Sequence, residues 1–285
     1  MSQQTEQPQR SVVLVDAHVH LHAQFSIPTF LGSAVANFQR ASAETNAGGE
    51  WMGCLMFADI GRQDSLAAIE SALRAADGGP FREEVWQEGL ALAIRVDDRP
   101  RLLCLAGRQL TSEEGIEMLA LATSERFEQR RPLTWMMQQT GRCDALAVIP
   151  WGAGKWIFRR GALIAELVDR AARGQAGVEF FLGDNRLRPR QMPAPRLLRK
   201  AVAAGIGILP GSDALPLRWH GRAAGSYGFV VPGTLPERKP ADWLRDQLRS
   251  RRSPWNRFGR PSSVGAFVRD QAAAQWRKLR ARNTR

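Results

Sequence analysis

No stretch of this sequence is apolar over anything near the roughly 18 residues that cross a bilayer, so a membrane-spanning helix is not expected. Residues 1–10 are polar and Gln-rich, without the apolar core and small-residue cleavage site of a secretory signal, and they read as a disordered leader. Cysteine is scarce: Cys54, Cys104 and Cys143 are odd in number, far apart, and set in or beside apolar runs. That excludes a disulfide framework or a Cys-ligated zinc and fits buried free thiols in a reducing, cytoplasmic compartment. Histidine is almost as scarce, yet three of the four histidines, His18, His20 and His22, fall within five residues.

The length, 285 residues with 44% apolar content, suits one large globular domain or two small ones. Charge is divided unevenly: residues 1–140 carry 12 Lys+Arg and 18 Asp+Glu, whereas residues 141–285 carry 28 and 10, for a total of +12. The excess gathers from Arg238 onward. A basic tail of this kind can bind nucleic acid or an anionic surface, although a solvated basic helix is the plainer reading.

Short apolar runs alternate with helical patterns. Val12–Val15, Trp51–Ala58, Arg101–Ala106, Ile116–Leu121, Ala145–Ile149, Val178–Leu182 and Ile206–Leu209 have the length and composition of strands buried on both faces. Leu90–Val96 reads either as a hairpin strand or as the end of a helix. Ser65–Ala76, Ser124–Gln139, Gly161–Ala172 and Pro195–Ala204 read as helices. Strands alternating with helices predict a parallel sheet with right-handed crossovers, and about seven units predict an α/β fold closed as a distorted (β/α)7-type, TIM-like barrel. An open doubly wound sheet is the alternative. After Leu217 the alternation stops: Gly225–Gly233, Pro232–Pro240 and Ser253–Pro261 read as loops, Asp242–Arg249 and Val264–Arg282 as helices. Residues 11–217 are therefore expected to form the barrel, and residues 218–285 a basic helical and loop extension packed on it.

Chemistry concentrates at Asp16-Ala17-His18-Val19-His20, directly after the β-branched run. A period of two puts both imidazoles on one face of a strand, and at the C-terminal mouth of a barrel that face looks into the active site. Two neutral imidazoles make half of a divalent metal site, which a carboxylate from elsewhere completes. Asp213, after the last barrel strand, is the candidate, since first and last strands are neighbours in a closed barrel. The alternatives are hydrogen-bonded histidines at a strand end and an Asp213 that caps a turn.

This segment, with Ser26 following, resembles the first motif of the PHP (polymerase and histidinol phosphatase) domain, one of the barrel-shaped metal-dependent hydrolases. Ala106–Thr111 with Glu114–Glu117 resembles its second motif, and Gly177–Phe180 and Gly211–Ala214 resemble later ones, in order over residues 11–217. The resemblance implies a barrel that holds a metal cluster, with His18, His20 and Asp213 at ligand positions of the first metal. Elsewhere the sequence departs from the family. Gln109 stands where the family has a bridging Glu, Glu117 where it has His, Ile149-Pro150 for His-Pro, Asp59-Ile60 for Asp-His, and Leu215 for the last His. A three-metal cluster is therefore not expected. One divalent ion, zinc or manganese, with Gln109, Glu117 or His22 as further ligand, stands against no metal at all.

Gly152, Gly154, Lys155, Arg159 and Arg160 form a Gly-rich basic loop. Ile149 and Trp156 stand where a P-loop needs Gly and Ser or Thr, so it is not a P-loop; its N–H groups and Lys155 still suit an anion. Asp184, Asn185 and Arg186 add polar groups nearby. The leading expectation is a phosphoesterase-like hydrolase of a small anionic substrate, with Asp16, Glu117 or Glu179 handling the proton and Lys155, Arg159 and Arg186 binding the anion. The competing expectation is an inactive PHP-like barrel that serves as a binding or scaffold protein. Nucleic-acid binding through the basic C-terminus is weaker, because aromatics are few there before the last helix.

Overall fold

The computed structural model describes residues 11–45, 50–76, 79–251 and 254–283. The expected leader, residues 1–10, lies outside them. In chain order the elements are β1 (Val12–Val19), α1 (Ile27–Glu44), β2 (Trp51–Phe57), β3 (Asp59–Ile60), α2 (Ser65–Ala75), β4 (Phe81–Gln87), β5 (Ala91–Val96), β6 (Arg99–Leu105), β7 (Gly107–Thr111), β8 (Glu117–Leu121), α3 (Leu133–Arg142), β9 (Leu146–Pro150), α4 (Phe158–Ala172), β10 (Phe181–Asn185), α5 (Arg196–Ala203), β11 (Ile208–Gly211), a short 3-10 turn (Arg218–Arg222), β12 (Tyr227–Pro232), α6 (Pro240–Ser250), β13 (Asn256–Gly259) and α7 (Val264–Asn283).

The fold is mixed α/β. Its ladders form two sheets: one in the order β13-β12-β1-β2-β6-β5-β4, the other β11-β10-β9-β8-β7-β3. The chain passes between sheets twice without a loop, at Ala58 from β2 to β3 and at Ala106 from β6 to β7. Parallel pairing joins β1 to β2, β2 to β6, β3 to β7, and β9 to β10 to β11; β7–β8–β9 and β4–β5–β6 are antiparallel. The ladders of the described residues do not close into the expected barrel. β11 meets β1 through the Asp213 N–H, which donates to the His18 carbonyl at 2.8 Å, and not through a ladder.

Apolar residues explain two buried layers. One unites the inward residues of both sheets, such as Val15, Leu55, Leu103, Leu121, Val148 and Leu209, with Phe30 and Phe38 of α1 and Leu244 and Leu248 of α6. The other packs Met118, Ile149, Leu182 and Ile208 against Met136, Ile164, Val168 and Leu198 of α3, α4 and α5. Alternation along β8, β9, β10 and β11 assigns neighbouring residues to opposite layers, whereas consecutive residues of β1, β2 and β6 all join the first.

Several expectations are corrected. The helix over Ser124–Gln139 is displaced to Leu133–Arg142, because Pro132 disfavours helical backbone at Arg131 and caps the helix that follows. The segment Gly225–Gly233, expected to be a loop, contains β12, antiparallel to β1. Its glycine content reflects crowding: a Cβ on Gly228 would lie 2.0 Å from the Val15 carbonyl oxygen. Asn256–Gly259, also expected to be loop, extends the same sheet. The 18-residue α1 has no counterpart in the sequence reading. Its buried face includes Asn37, whose amide donates to the carbonyls of Arg222 and Ala224 (3.0 and 2.7 Å) and interrupts the apolar stripe. Cys54 and Cys104 are buried, but Cys143 is exposed; all three are free thiols. Among the described residues no helix is long and apolar enough to cross a membrane.

Candidate metal centre

The strand β1 does not keep a strict period of two at its end. Its register against β2 shifts by one residue between Asp16 and Val19, and such a bulge re-aims the side chains that follow. Asp16 therefore separates from the histidines. Its Oδ1 accepts from the N–H groups of Ser212 (2.8 Å) and His18 (3.3 Å), and its Oδ2 from that of Gly225 (2.9 Å). Burial pushes this carboxyl up to about 6 against the pull of those donors. It ties β1 to the chain after β11 and to the start of β12.

The histidines turn toward each other and toward Asp213. The Nε2 atoms of His18 and His20 are 3.1 Å apart, and each lies 3.6 Å from Asp213 Oδ1. One ligand atom from each residue falls within a 4.8 Å cluster, and all three residues are buried. Asp213 holds this place with left-handed backbone, φ +46°, an uncommon conformation for a residue with a Cβ. Its N–H on the His18 carbonyl and the Asn185 amide on its Oδ2 (2.8 Å) fix it there. Asn185 also donates to the Trp151 carbonyl at 2.8 Å, which anchors the amide itself. Gly211 brings β11 against β1, since a Cβ there would sit 2.4 Å from the His18 nitrogen.

The protonation states suit a cation. Burial, with His18 beside it, lowers His20 to about 3, so its ring is neutral near pH 7. Burial alone would raise Asp213, but His18, Lys155, His20 and the Asn185 amide outweigh it and hold the carboxyl below its ordinary value. Two imidazoles and a carboxylate are a common donor set for zinc and its neighbours. The Nδ1 of His20 is buried with no partner.

Around the cluster, Lys155 bonds the Glu117 carboxylate, and its charge reaches both His20 and Asp213. Glu117 starts β8, whose reversed direction places that end beside the mouth of its parallel neighbours. Arg186 follows Asn185; its Nε is buried without a partner, and it interacts electrostatically with Asp270, Asp16 and Asp213. His22 stacks on His20 (5.5 Å between centroids) and its Nε2 bonds the Ala214 carbonyl at 2.8 Å, so that nitrogen carries the proton. Gln109 is half-buried on β7, opposite Leu119. Arg159 is exposed on α4. Glu179 precedes β10, at the end away from the histidines, and pairs with Arg249 at 3.1 Å. The structure thus gathers His18, His20, Asp213, Lys155, Glu117 and Arg186, and leaves Asp16 in a backbone seam and Glu179 remote.

Two contributions escaped the sequence reading. Asn185 was expected only as a rim residue, and its grip on Asp213 has no local signature. The pair His220–Asp270 is buried, with Nε2 to Oδ2 at 2.9 Å. The Leu215 N–H donates to His220 Nδ1 at 3.1 Å, so His220 donates from Nε2. Trp219 Nε1 also donates to Asp270 (3.0 Å), and these bonds dock α7 on the chain that carries Asp213.

No protein-family model matches this sequence, and no curated protein matches it. Solved structures do resemble its fold. PsfC from Pseudomonas syringae PB-5123 superposes with a TM-score of 0.51 at 13% identity, over 93% of this chain and 98% of PsfC. The lesion-specific endonuclease PfuEndoQ from Pyrococcus furiosus gives 0.44 at 12% identity, over 77% of this chain and 52% of its own. Endonuclease Q in complex with a 27-mer duplex containing an abasic lesion gives 0.41 at 14% identity, again over 77% and 52%. At these identities the likeness to PsfC is one of fold.

Proposed function

We propose that this chain is a metal-dependent, phosphoesterase-like hydrolase on a distorted PHP-like barrel, with a site reduced to one divalent ion. The observation that carries the proposal is the convergence of His18 Nε2, His20 Nε2 and Asp213 Oδ1 in a buried cluster, with the His20 ring held neutral and the Asp213 carboxyl held below its ordinary value. These three residues would hold the ion, zinc or manganese by its donor set. When bound, such an ion acts as a Lewis acid and acidifies coordinated water.

The protein supplies the rest. Asn185 fixes the Asp213 carboxylate, an orienting role whose loss typically weakens metal binding 10–100-fold. Lys155 and Arg186 set positive charge beside the cluster, where it stabilises negative charge developing on an anionic substrate. Glu117 is the carboxylate within reach of Lys155; a substrate anion competing for that ammonium frees Glu117 to accept a proton. Asp16 acts as a backbone tie, and Glu179 lies outside the chemistry.

Tag-free protein should carry about one equivalent of metal per chain, the stoichiometry of a three-residue site, and should hydrolyse an activated phosphoester such as p-nitrophenyl phosphate or its bis ester. His18→Ala should remove metal and hydrolysis together. Metal without hydrolysis of either ester supports the second reading, a PHP-like scaffold that binds without turnover; the engagement of Asp16 by three N–H groups favours it. Wild-type protein without metal overturns the hydrolase reading and leaves the scaffold reading.

A further inference from the structure

Among the described residues, four of the ten large exposed apolar side chains lie on α7 and the turn it packs against. Trp219 is 50% exposed on the 3-10 turn after Asp213. Val264 and Val268 (46% and 58%) and Trp276 (60%) lie on α7 at helical spacing, with exposed Ala272 between them. Positions four apart share a helix face, so these residues form one apolar stripe. Each tryptophan carries a guanidinium on its ring: Arg269 lies 5.1 Å from the Trp219 ring centre and Arg280 5.3 Å from that of Trp276. Arg277 is also exposed, and its charge is felt at His22, beside the metal cluster.

Charge on this face is of one sign. The only acid on α7, Asp270, is buried under the helix, bonded to His220, Trp219 and Arg269. The chain that α7 and the residues before it touch includes the Arg218–Arg222 turn, through Asp270, and Arg190, whose N–H donates to the Ser262 carbonyl. Arg190, Arg218 and Arg222 are exposed. Flat rings that carry guanidinium groups, set beside exposed cations, match a partner with a repeating negative backbone and planar rings. A plain polyanion has no use for the tryptophans, and an apolar protein face gains nothing from the arginines.

We infer that α7 and the Arg218–Arg222 turn form a docking strip for single-stranded nucleic acid, with bases stacked on Trp219 and Trp276 and phosphates on the exposed Arg218, Arg222 and Arg277. Base stacking on such platforms tolerates any sequence. The strip stands on its own observations; that the bound strand is also the substrate rests on the phosphoesterase reading above.

The test is fluorescence anisotropy of a dye-labelled oligothymidine on the full chain, first with chelator and then with metal. Binding should weaken with salt, and Arg277→Ala should lower the log–log slope by about 0.7, the value for one phosphate contact on a single strand. Trp276→Ala should weaken binding roughly fivefold to a hundredfold, the range for one lost stacking platform. Trp276 is exposed and its ring makes no buried hydrogen bond, so this variant keeps its fold where Trp219→Ala, which frees Asp270, loses stability. No binding at low salt overturns the inference, as does binding indifferent to Trp276→Ala. A dimer broken by Val268→Asp with no oligonucleotide bound assigns the stripe to a second copy, and preference for anionic phospholipid vesicles over oligothymidine assigns it to a membrane; either overturns it. Binding in chelator without cleavage on adding metal leaves the strip standing and counts against the hydrolase.

Discussion

Asp213→Asn tests the metal centre most directly, because it removes one charge and almost no volume. The carboxylate faces two imidazoles with its Oδ1 3.6 Å from each Nε2. At that separation a unit positive charge gains about 4–5 kcal/mol from it at an effective dielectric constant near 20. Part of that gain is offset by the water the cation leaves behind, so we take a loss of only about 2.7 kcal/mol, or a hundredfold in affinity. At a metal concentration about 100 times the wild-type Kd, binding stabilises wild type by about 2.7 kcal/mol and the variant by about 0.4 kcal/mol. For a chain of this size that is a rise in Tm of roughly 5–10 °C in wild type and about 1 °C in the variant. Without metal the two should melt within about 2 °C of each other, because the asparagine can still accept from Asn185 and donate toward the imidazoles. Differential scanning calorimetry of chelator-treated, tag-free protein titrated with zinc and with manganese reads both quantities, and elemental analysis gives the stoichiometry. An equal metal-induced shift in wild type and Asp213→Asn would refute the reasoning. So would a shift in neither, which would leave the cluster as a plain hydrogen-bonded group.

Other outcomes follow from the same geometry. Asn185→Ala should leave the fold intact and weaken metal binding about 10–100-fold in the same titration; unchanged affinity would mean that Asp213 needs no second anchor. Gly211→Ala should lower stability by more than about 2 kcal/mol in urea unfolding, since its Cβ meets His18 backbone that cannot move aside. Phe38→Ala, a fully buried ring, should cost about 3–5 kcal/mol in the same assay. His220 is held below its ordinary value by burial, only partly opposed by Asp270. The unfolded chain then binds its proton first, so the stability His220 contributes is complete above about pH 6.5 and is lost as pH falls toward the lowered value. The stability difference between wild type and His220→Gln should therefore shrink on going from about pH 7.5 to 5.5, by at most about 1.4 kcal/mol per pH unit; a difference that grows would show His220 to be protonated in the folded protein.

By itself the sequence determined those features that depend on near neighbours. Short apolar runs marked β1, β2, β6, β8 and β9, and helical spacing marked α2, α4 and α5, because burial on one face or two leaves its period in the chain. The histidine cluster at the end of β1 and the turn at Asp213 were legible for the same reason: strand ends and turns have local residue signatures. Tertiary structure decided the rest. The one-residue bulge in β1 sends Asp16 into a backbone seam and the histidines into the cluster, which a strict alternation cannot foresee. Gly228 looks like a loop residue until β12 is laid against Val15. Asn37 interrupts the stripe of α1 because its partners, Arg222 and Ala224, lie far along the chain. Glu117 comes to the mouth only because β8 runs against its neighbours, while Glu179 is carried to the opposite end as a parallel strand begins. Asn185, His220 and Asp270 act through hydrogen bonds to residues distant in sequence or through bonds to main-chain groups, which any residue offers. Those pairings are absent from the composition and spacing of the chain and arise only when its folded surfaces meet.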